Sequence, residues 1–208
     1  MLIGATWLFA AIAEDVVTSD PITVIDGRFS AWLQTLANPS VTTLMLLITN
    51  SHSTFPVAIL TLAILIYWWF RRLRYRALTL ALAVYGGALL NFLLKNLFLR
   101  PRPHFTYPIL TLTGYGFPSG HTMAATVFYG TLCVFAVSRV RSWPWRVLAI
   151  VVSMVMIALV GFSRIYLGAH YLSDVLGAMA EGLAWLALCF TAVGTIRRRR
   201  EPKHAQNS

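Results

Sequence analysis

The sequence predicts an all-α protein built into a membrane: a polytopic helical bundle of six transmembrane spans with both termini on the cytoplasmic side. Three observations predict it. First, the 208 residues are 58% hydrophobic and only 12% charged, with a mean hydropathy of +0.68, whereas a soluble domain carries roughly 25% charged and ~45–50% apolar residues. Second, apolar runs recur at about 1–17, 55–70, 77–99, 122–138, 147–163 and 174–196, close to the ~20 residues a helix needs to cross hydrocarbon. Third, the basic residues sit in alternate connections. Arg71, Arg72, Arg74 and Arg76, then Arg139, Arg141 and Arg146, then Arg197, Arg198, Arg199, Arg200 and Lys203 make twelve of the 17 Lys and Arg residues, all on the side that the positive-inside bias assigns to the cytoplasm. Four of the seven acidic residues, Glu14, Asp15, Asp20 and Asp26, fall on the other side. The net charge of +10 is therefore read as topology and not as nucleic-acid binding.

Taken in order, the first run also fits a signal peptide, because Leu8 to Ala13 precede Glu14 at a small-residue cleavage site. No basic residue precedes it, and signal peptides start positive, so an uncleaved span is expected. Segment 14–54 reads as an outer loop. Within it Asn38-Pro39 marks a helix start, with Asn as cap and Pro at the first helical position. The apolar stretch from Val41 to Ile48 is too short to span and is expected to lie at the interface or to re-enter. Span two ends in Tyr67, Trp68 and Trp69, an aromatic belt. The outer loop at about 100–121 is rich in Pro, Gly and Thr, and a brief third outer loop follows at about 164–173. Cys133 and Cys189 fall inside spans four and six and read as packing residues. One integral-membrane domain is expected over 1–196. A basic tail over 197–208 is read as a topology anchor in preference to a binder of anionic headgroups.

Five basic residues break the charge rule by lying on the outer side: Arg28, Lys95, Arg100, Arg102 and Arg164. Four of them belong to, or adjoin, three polar clusters. These are Lys95 to Arg102-Pro103, then Pro118-Ser119-Gly120-His121, then Ser163-Arg164 with His170 and Asp174. Once the topology is drawn, all three reach the same face. Lys95, Arg102 and Arg164 supply three cations, and guanidinium forks match phosphate oxygens. Ser119, Gly120 and His121 open a helix, whose first N–H groups bind anions, and Gly120 permits close backbone approach. His170 and Asp174 stand four apart, on one face if helical. A carboxylate holding Nδ1–H leaves Nε2 free to attack phosphorus, and His121 is then available as general acid. Taken singly, each residue has a plainer reading: Lys95 snorkelling, Arg102 on headgroups, Ser119-Gly120 as a cap, His170 with Asp174 as a structural pair. Only the joint pattern points to a phosphate site.

That pattern is Lys, six residues, Arg-Pro; Pro-Ser-Gly-His; Ser-Arg, five residues, His, three residues, Asp. It resembles the type 2 phosphatidic acid phosphatase family, whose fold and site are shared with vanadium haloperoxidases, and no motif position departs from it. The likeness includes the six-span layout and so covers roughly residues 1–196. Pro-Ser-Gly-His alone would arise by chance in about one chain per thousand of this length, so all three in order are specific. The resemblance implies that His170 forms a phosphohistidine, that Asp174 orients it and that His121 protonates the leaving group. It implies that Lys95, Arg102, Ser119, Gly120 and Arg164 bind the phosphate and that no metal or other cofactor takes part. The expected function is lipid phosphatase at the outer leaflet of the cell membrane. Undecaprenyl diphosphate is the favoured substrate, with phosphatidylglycerophosphate and phosphatidate as alternatives.

A lipid phosphotransferase would use the same residues. A haloperoxidase is disfavoured by the spans, and a dead binding protein by the intact His170, His121 and Asp174. Outside the pattern, Arg100 is read as facing solvent in preference to sitting at the substrate mouth, His104 as a bystander, and His52 as an interfacial histidine in preference to one approaching the site from the first outer loop. Asn91 is expected to brace Lys95. Glu181 lies inside span six, where a carboxylate is costly and usually functional; it either pairs with a pocket cation or orients a neighbouring helix. Oligomeric state leaves no trace in the sequence.

Overall fold

The computed structural model describes residues 1–18, 21–105, 109–110 and 112–200. Asp20 and the tail beyond Arg200, both used in the topology argument, lie outside the described residues. Among the described residues nine α-helices follow one another: α1 (Leu2–Thr18), α2 (Pro21–Thr35), α3 (Pro39–Ser51), α4 (Thr54–Phe70), α5 (Arg74–Ala81), α6 (Gly87–Phe98), α7 (Gly120–Arg139), α8 (Trp143–Tyr166) and α9 (Leu172–Arg200). A π-helical turn, Leu82–Gly86, joins α5 to α6 without a break. Its widened ladder is closed from outside, because the indole of Trp185 donates to the Leu82 carbonyl at 3.1 Å.

Among the described residues four continuous helical rods are long and apolar enough to cross a membrane: Arg74–Phe98, Gly120–Arg139, Trp143–Tyr166 and Leu172–Arg200. The pairs α1 with α2 and α3 with α4 bend by 83° and 47°, and the number rises to six if each bent pair is one span. Large apolar side chains lie exposed along α4 and α8, among them Phe55, Ile59, Leu62, Ile66, Met154 and Val155. A face of that kind is suited to lipid and not to water. The protein is a membrane protein.

Helix α9 is the spine, packed by α1, α7, α2 and α5. The cationic connections share one end of the bundle. Trp68 meets Phe135 edge-on at 5.4 Å, Arg76 lies 5.4 Å over the Phe135 ring, and Arg74 lies 5.5 Å over Trp69. The C-terminus of α6, the N-terminus of α7, the C-terminus of α8 and the N-terminus of α9 make the other end. The 20 residues of α7 hold the two ends about 30 Å apart.

The segment read as an outer loop is largely helical. Asn38 does cap α3: its Oδ1 accepts from the Val41 N–H at 3.0 Å, with Pro39 in the first turn. Helix α2 was not expected, and the reason is physical. It buries Asp26, Ser30 and Leu33, one stripe at helical spacing, while Val24, Ile25 and Trp32 face outward. In lipid the polar stripe turns inward, so a search for an inward apolar face passes over it.

Candidate active site

The three clusters meet where α6, α7, α8 and α9 end. The chain leaves α6 through Leu99, which adopts a left-handed backbone (φ 51°) and donates its N–H to the Lys95 carbonyl. That turn sends the next residues inward, and Gly116 closes the loop by donating to the Arg100 carbonyl at 2.7 Å. Phe117, fully buried, pins the loop between Phe9 of α1 and Phe98 of α6, with ring centroids 5.9 and 5.1 Å away. The Pro118-Ser119-Gly120-His121 segment is thereby fixed at the head of α7. A Cβ on Gly120 would come within 3.2 Å of Asn91 Oδ1 and 3.7 Å of Lys95 Cε, so a side chain here would press on Asn91, and glycine lets this helix start close against α6. The Ser119 N–H is committed to the Asp174 carbonyl at 3.0 Å, leaving the N–H groups of α7's first turn as the donors that lack intrahelical partners. The Ser119 hydroxyl, fully buried, accepts from Thr122 Oγ1 at 3.0 Å and keeps its own proton to give.

Helix α8 runs through Tyr166, so Arg164 sits in its last turn and not in a loop. Gly168 then turns the chain with a positive φ of 69°, a conformation glycine adopts without steric cost. The N–H groups of Ala169 and His170 return to the Arg164 carbonyl at 3.0 and 3.2 Å. His170 precedes α9 and does not share a helical face with Asp174. The pairing arises because Asp174, in the first turn of α9, reaches back. Its Oδ2 accepts from the Tyr171 N–H at 2.9 Å and lies 3.4 Å from His170 Nδ1.

Arg102 NH1 donates to the Ala169 carbonyl at 2.9 Å and stands 3.2 Å from His170 Nε2. A guanidinium only donates, so Nε2 is the acceptor and the ring proton is on Nδ1, facing Asp174. Burial lowers the imidazole well below its ordinary value, to about 4, with Lys95 and Arg164 acting in the same sense against the pull of Asp174. At neutral pH Nε2 is therefore unprotonated, as a nucleophile requires, with its lone pair turned toward Arg102.

Lys95 Nζ donates to the Tyr115 carbonyl at 3.2 Å and lies within electrostatic reach of Arg102, Arg164 and Asp174. Arg164, only 4% exposed, donates from NH1 to Thr49 Oγ1 of α3 at 2.5 Å. Its Nε has no partner among the described residues. His121 lies within electrostatic reach of Arg164, His170 and Lys95. Lys95, Gly120 and His121 also line a groove of about 380 Å³ whose remaining wall is mostly apolar, drawn from α4, the α5–α6 rod and α7. The groove therefore adjoins the cage on the His121 side.

Several expectations are corrected. Arg100 does not face solvent: it is 9% exposed and joins Asp26 to Asp174 at 2.8 and 2.5 Å, because Leu99 reverses the chain just before it. Asn91 does not brace Lys95; its amide donates to Glu181 Oε2 at 2.9 Å and, at 3.5 Å, to the Pro118 carbonyl. Glu181 thus ties α9 to α6 and also lies within electrostatic reach of Lys95, so both of its open readings keep support. His52 is more than an interfacial histidine. Its Nδ1 must donate to the Ile48 carbonyl at 2.8 Å, so Nε2 accepts from Tyr129 at 2.6 Å, and the ring lines the groove. His104 is exposed. Thr49, Phe117 and Asp26 also shape the site, and no motif marks them in the sequence.

Residues 75–198 match the family model described as the PAP2 superfamily. Phosphatidylglycerophosphatase B of Bacillus subtilis is 38% identical over 106 residues, covering 50% of this chain and 52% of the relative. Undecaprenyl-diphosphatase BcrC of the same organism is 28% identical over 135 residues, covering 62% and 65%. The aligned stretches thus span between half and two thirds of these relatives. The crystal structure of a transmembrane PAP2-type phosphatidylglycerolphosphate phosphatase from Bacillus subtilis superimposes with a TM-score of 0.83 at 28% identity, covering 95% of this chain and 98% of that one. Aquifex aeolicus LpxE shares the fold, with a TM-score of 0.64 at 20% identity.

Proposed function

The chain belongs to the PAP2 superfamily, and from that premise we propose that it is a membrane phosphatase that removes a phosphoryl group from a lipid phosphate or diphosphate. The observation that carries the reading is the junction of cage and groove. Cations and helix N–H groups gather around His170, and the space beyond His121 is lined by apolar side chains. The phosphoryl group belongs in the cage and the lipid leaving group on the His121 side.

Lys95, Arg102 and Arg164, with the first N–H groups of α7, hold the non-bridging oxygens and stabilise the charge that develops on them. His170 Nε2 attacks phosphorus. The P–N bond forms as the P–O bond to the lipid breaks, and the departing oxygen takes a proton from His121. Asp174 stabilises the positive imidazole through its Nδ1–H. Water then attacks the phosphohistidine and gives a proton to His121; the P–N bond breaks and inorganic phosphate leaves. No step requires a metal.

We place the site on the extracytoplasmic face of the cell membrane, opposite the cationic connections, with six spans and cytoplasmic termini. Among substrates, the 38% identity to phosphatidylglycerophosphatase B and the 0.83 superposition favour phosphatidylglycerophosphate. Undecaprenyl diphosphate, the substrate expected from the sequence, stands as the second reading on the match to BcrC.

The test is phosphate release by the purified protein from phosphatidylglycerophosphate, undecaprenyl diphosphate and phosphatidate in excess chelator, with and without a lipid acceptor. Release without metal and its loss in His170→Ala are expected. Activity abolished by chelator and restored by magnesium would overturn the mechanism. Phosphoryl transfer to the acceptor in place of release would make the protein a phosphotransferase.

A further inference from the structure

Arg100 lies outside the family pattern, yet it is among the most heavily bonded side chains of the molecule. Its NH1 donates to Asp174 Oδ1 at 2.5 Å and to Ser173 Oγ at 2.7 Å, and its NH2 donates to Asp26 Oδ2 at 2.8 Å. The guanidinium also lies 4.7 Å over the Tyr171 ring. Asp26, 1% exposed, accepts from the Ser173 N–H at 2.9 Å and from the Ser173 hydroxyl. One buried cation is thus shared by two buried carboxylates, one on α2 and one paired with His170.

An arginine alone beside Asp174 would neutralise the charge on which the His170 imidazolium depends. Asp26 removes that problem by balancing Arg100 from the far side. The trio then carries one net negative charge, and Arg100 takes Oδ1 of Asp174 so that Oδ2 turns toward His170. We propose that Asp26 and Arg100 are positioning residues that aim the Asp174 carboxylate at His170 and keep its charge available to the imidazole. Helix α2 thereby contributes to the reaction without touching substrate. This inference rests on the reading of His170 as nucleophile.

The alternative is that the trio merely fastens α2 and the α6–α7 loop onto α9, and the two differ in what they move. His170 is faced by Asp174 on α9, Lys95 on α6, Arg164 on α8, His121 on α7 and Arg102 in the loop. Of these only Asp174 is touched by Arg100. Asp26→Asn leaves Arg100 bearing on Asp174 alone, so the positive imidazole is less stabilised and the acid limb of kcat/KM moves to lower pH. Arg100→Met leaves two uncompensated carboxylates, the positive imidazole is more stabilised, and the limb moves to higher pH. A purely structural tie gives no such opposition of sign.

The experiment measures phosphate release from short-chain phosphatidylglycerophosphate against pH, with orthovanadate binding as a reading of the oxyanion cage. Asp26→Asn is expected to lower kcat about tenfold, comparable to losing one charge-assisted hydrogen bond, with vanadate affinity held within about twofold. The limbs are expected to move in opposite directions by about half a pH unit. Because Asp26 acts through Arg100, the double variant is expected to lose no more than Arg100→Met alone. Should Arg100→Met not fold, Arg100→Lys keeps the charge without the fork, and kcat is expected to fall while the limb stays. Additive losses, limbs that do not separate, or vanadate affinity falling in step with kcat would overturn the proposal. Full activity in His170→Ala would instead overturn the phosphatase mechanism itself.

Discussion

His170 shows at the scale of one residue how surroundings select a chemical role. A free imidazole is half protonated near pH 6.5; buried beside Lys95 and Arg164, this one is pushed down to about 4. The neutral form attacks, so activity dependent on His170 is expected to hold down to about pH 5 and to fall only as pH drops through about 4. A pH–rate profile checks this. The linked effect on stability has the same direction. The unfolded chain takes up a proton at His170 as pH falls from about 6.5, while the folded chain resists until about 4, so this residue's contribution is lost across that window. Thermal unfolding midpoints taken between pH 7 and 4 should therefore decline. Arg164 makes a different point. Its NH1 is bonded to Thr49 at 2.5 Å and its Nε has no protein partner among the described residues, which leaves a planar fork for an anion. Lysine carries the charge but not the fork, and Arg164→Lys is expected to lower kcat about 10²-fold, as removal of one oxyanion donor does. Steady-state kinetics on the purified variant would show it.

Among elements, the junction of α6 with α9 sets where the head of α7 stands. Asn91 gives its amide to Glu181 and reaches the Pro118 carbonyl, so one residue of α6 ties α9 to the segment carrying Ser119 and His121. Glu181→Ala is expected to destabilise the protein by about 1–3 kcal/mol, the cost of a buried donor left without its partner. Glu181→Gln keeps an acceptor and should lose less. Fluorescence-monitored thermal unfolding in detergent distinguishes the two; equal losses would show that the carboxylate's charge matters and not its acceptor oxygen. Helix α2 illustrates why elements were unequally legible. The long apolar rods α7, α8 and α9 follow runs visible in the sequence, because lipid demands a continuous apolar exterior. The 15 residues of α2 carry their polar stripe inward, where periodicity arguments made for water look for apolar groups.

The whole molecule separates two kinds of positive charge along the bundle. Arginines of the short connections collect at one end with Trp68, Trp69 and Phe135, while Lys95, Arg102 and Arg164 collect at the other. If the first end is cytoplasmic, His104→Cys in a background lacking Cys133 and Cys189 should react with an impermeant thiol reagent applied outside intact cells. Arg139→Cys should react only after permeabilisation, and the reverse pattern would invert the topology. The apolar runs, the positions of the basic connections and the three motifs were all legible in the sequence, because each depends on local composition or short spacing. Lipid solubility and the chemistry of phosphate recognition constrain residue types directly, and those constraints read along one chain. Tertiary structure alone decided that Arg100 turns inward, that Asp26 reaches Ser173 across 147 positions and that Asn91 serves Glu181. These are pairings of buried polar groups, and whether such a group finds its partner depends on how helices cross, which no local stretch encodes.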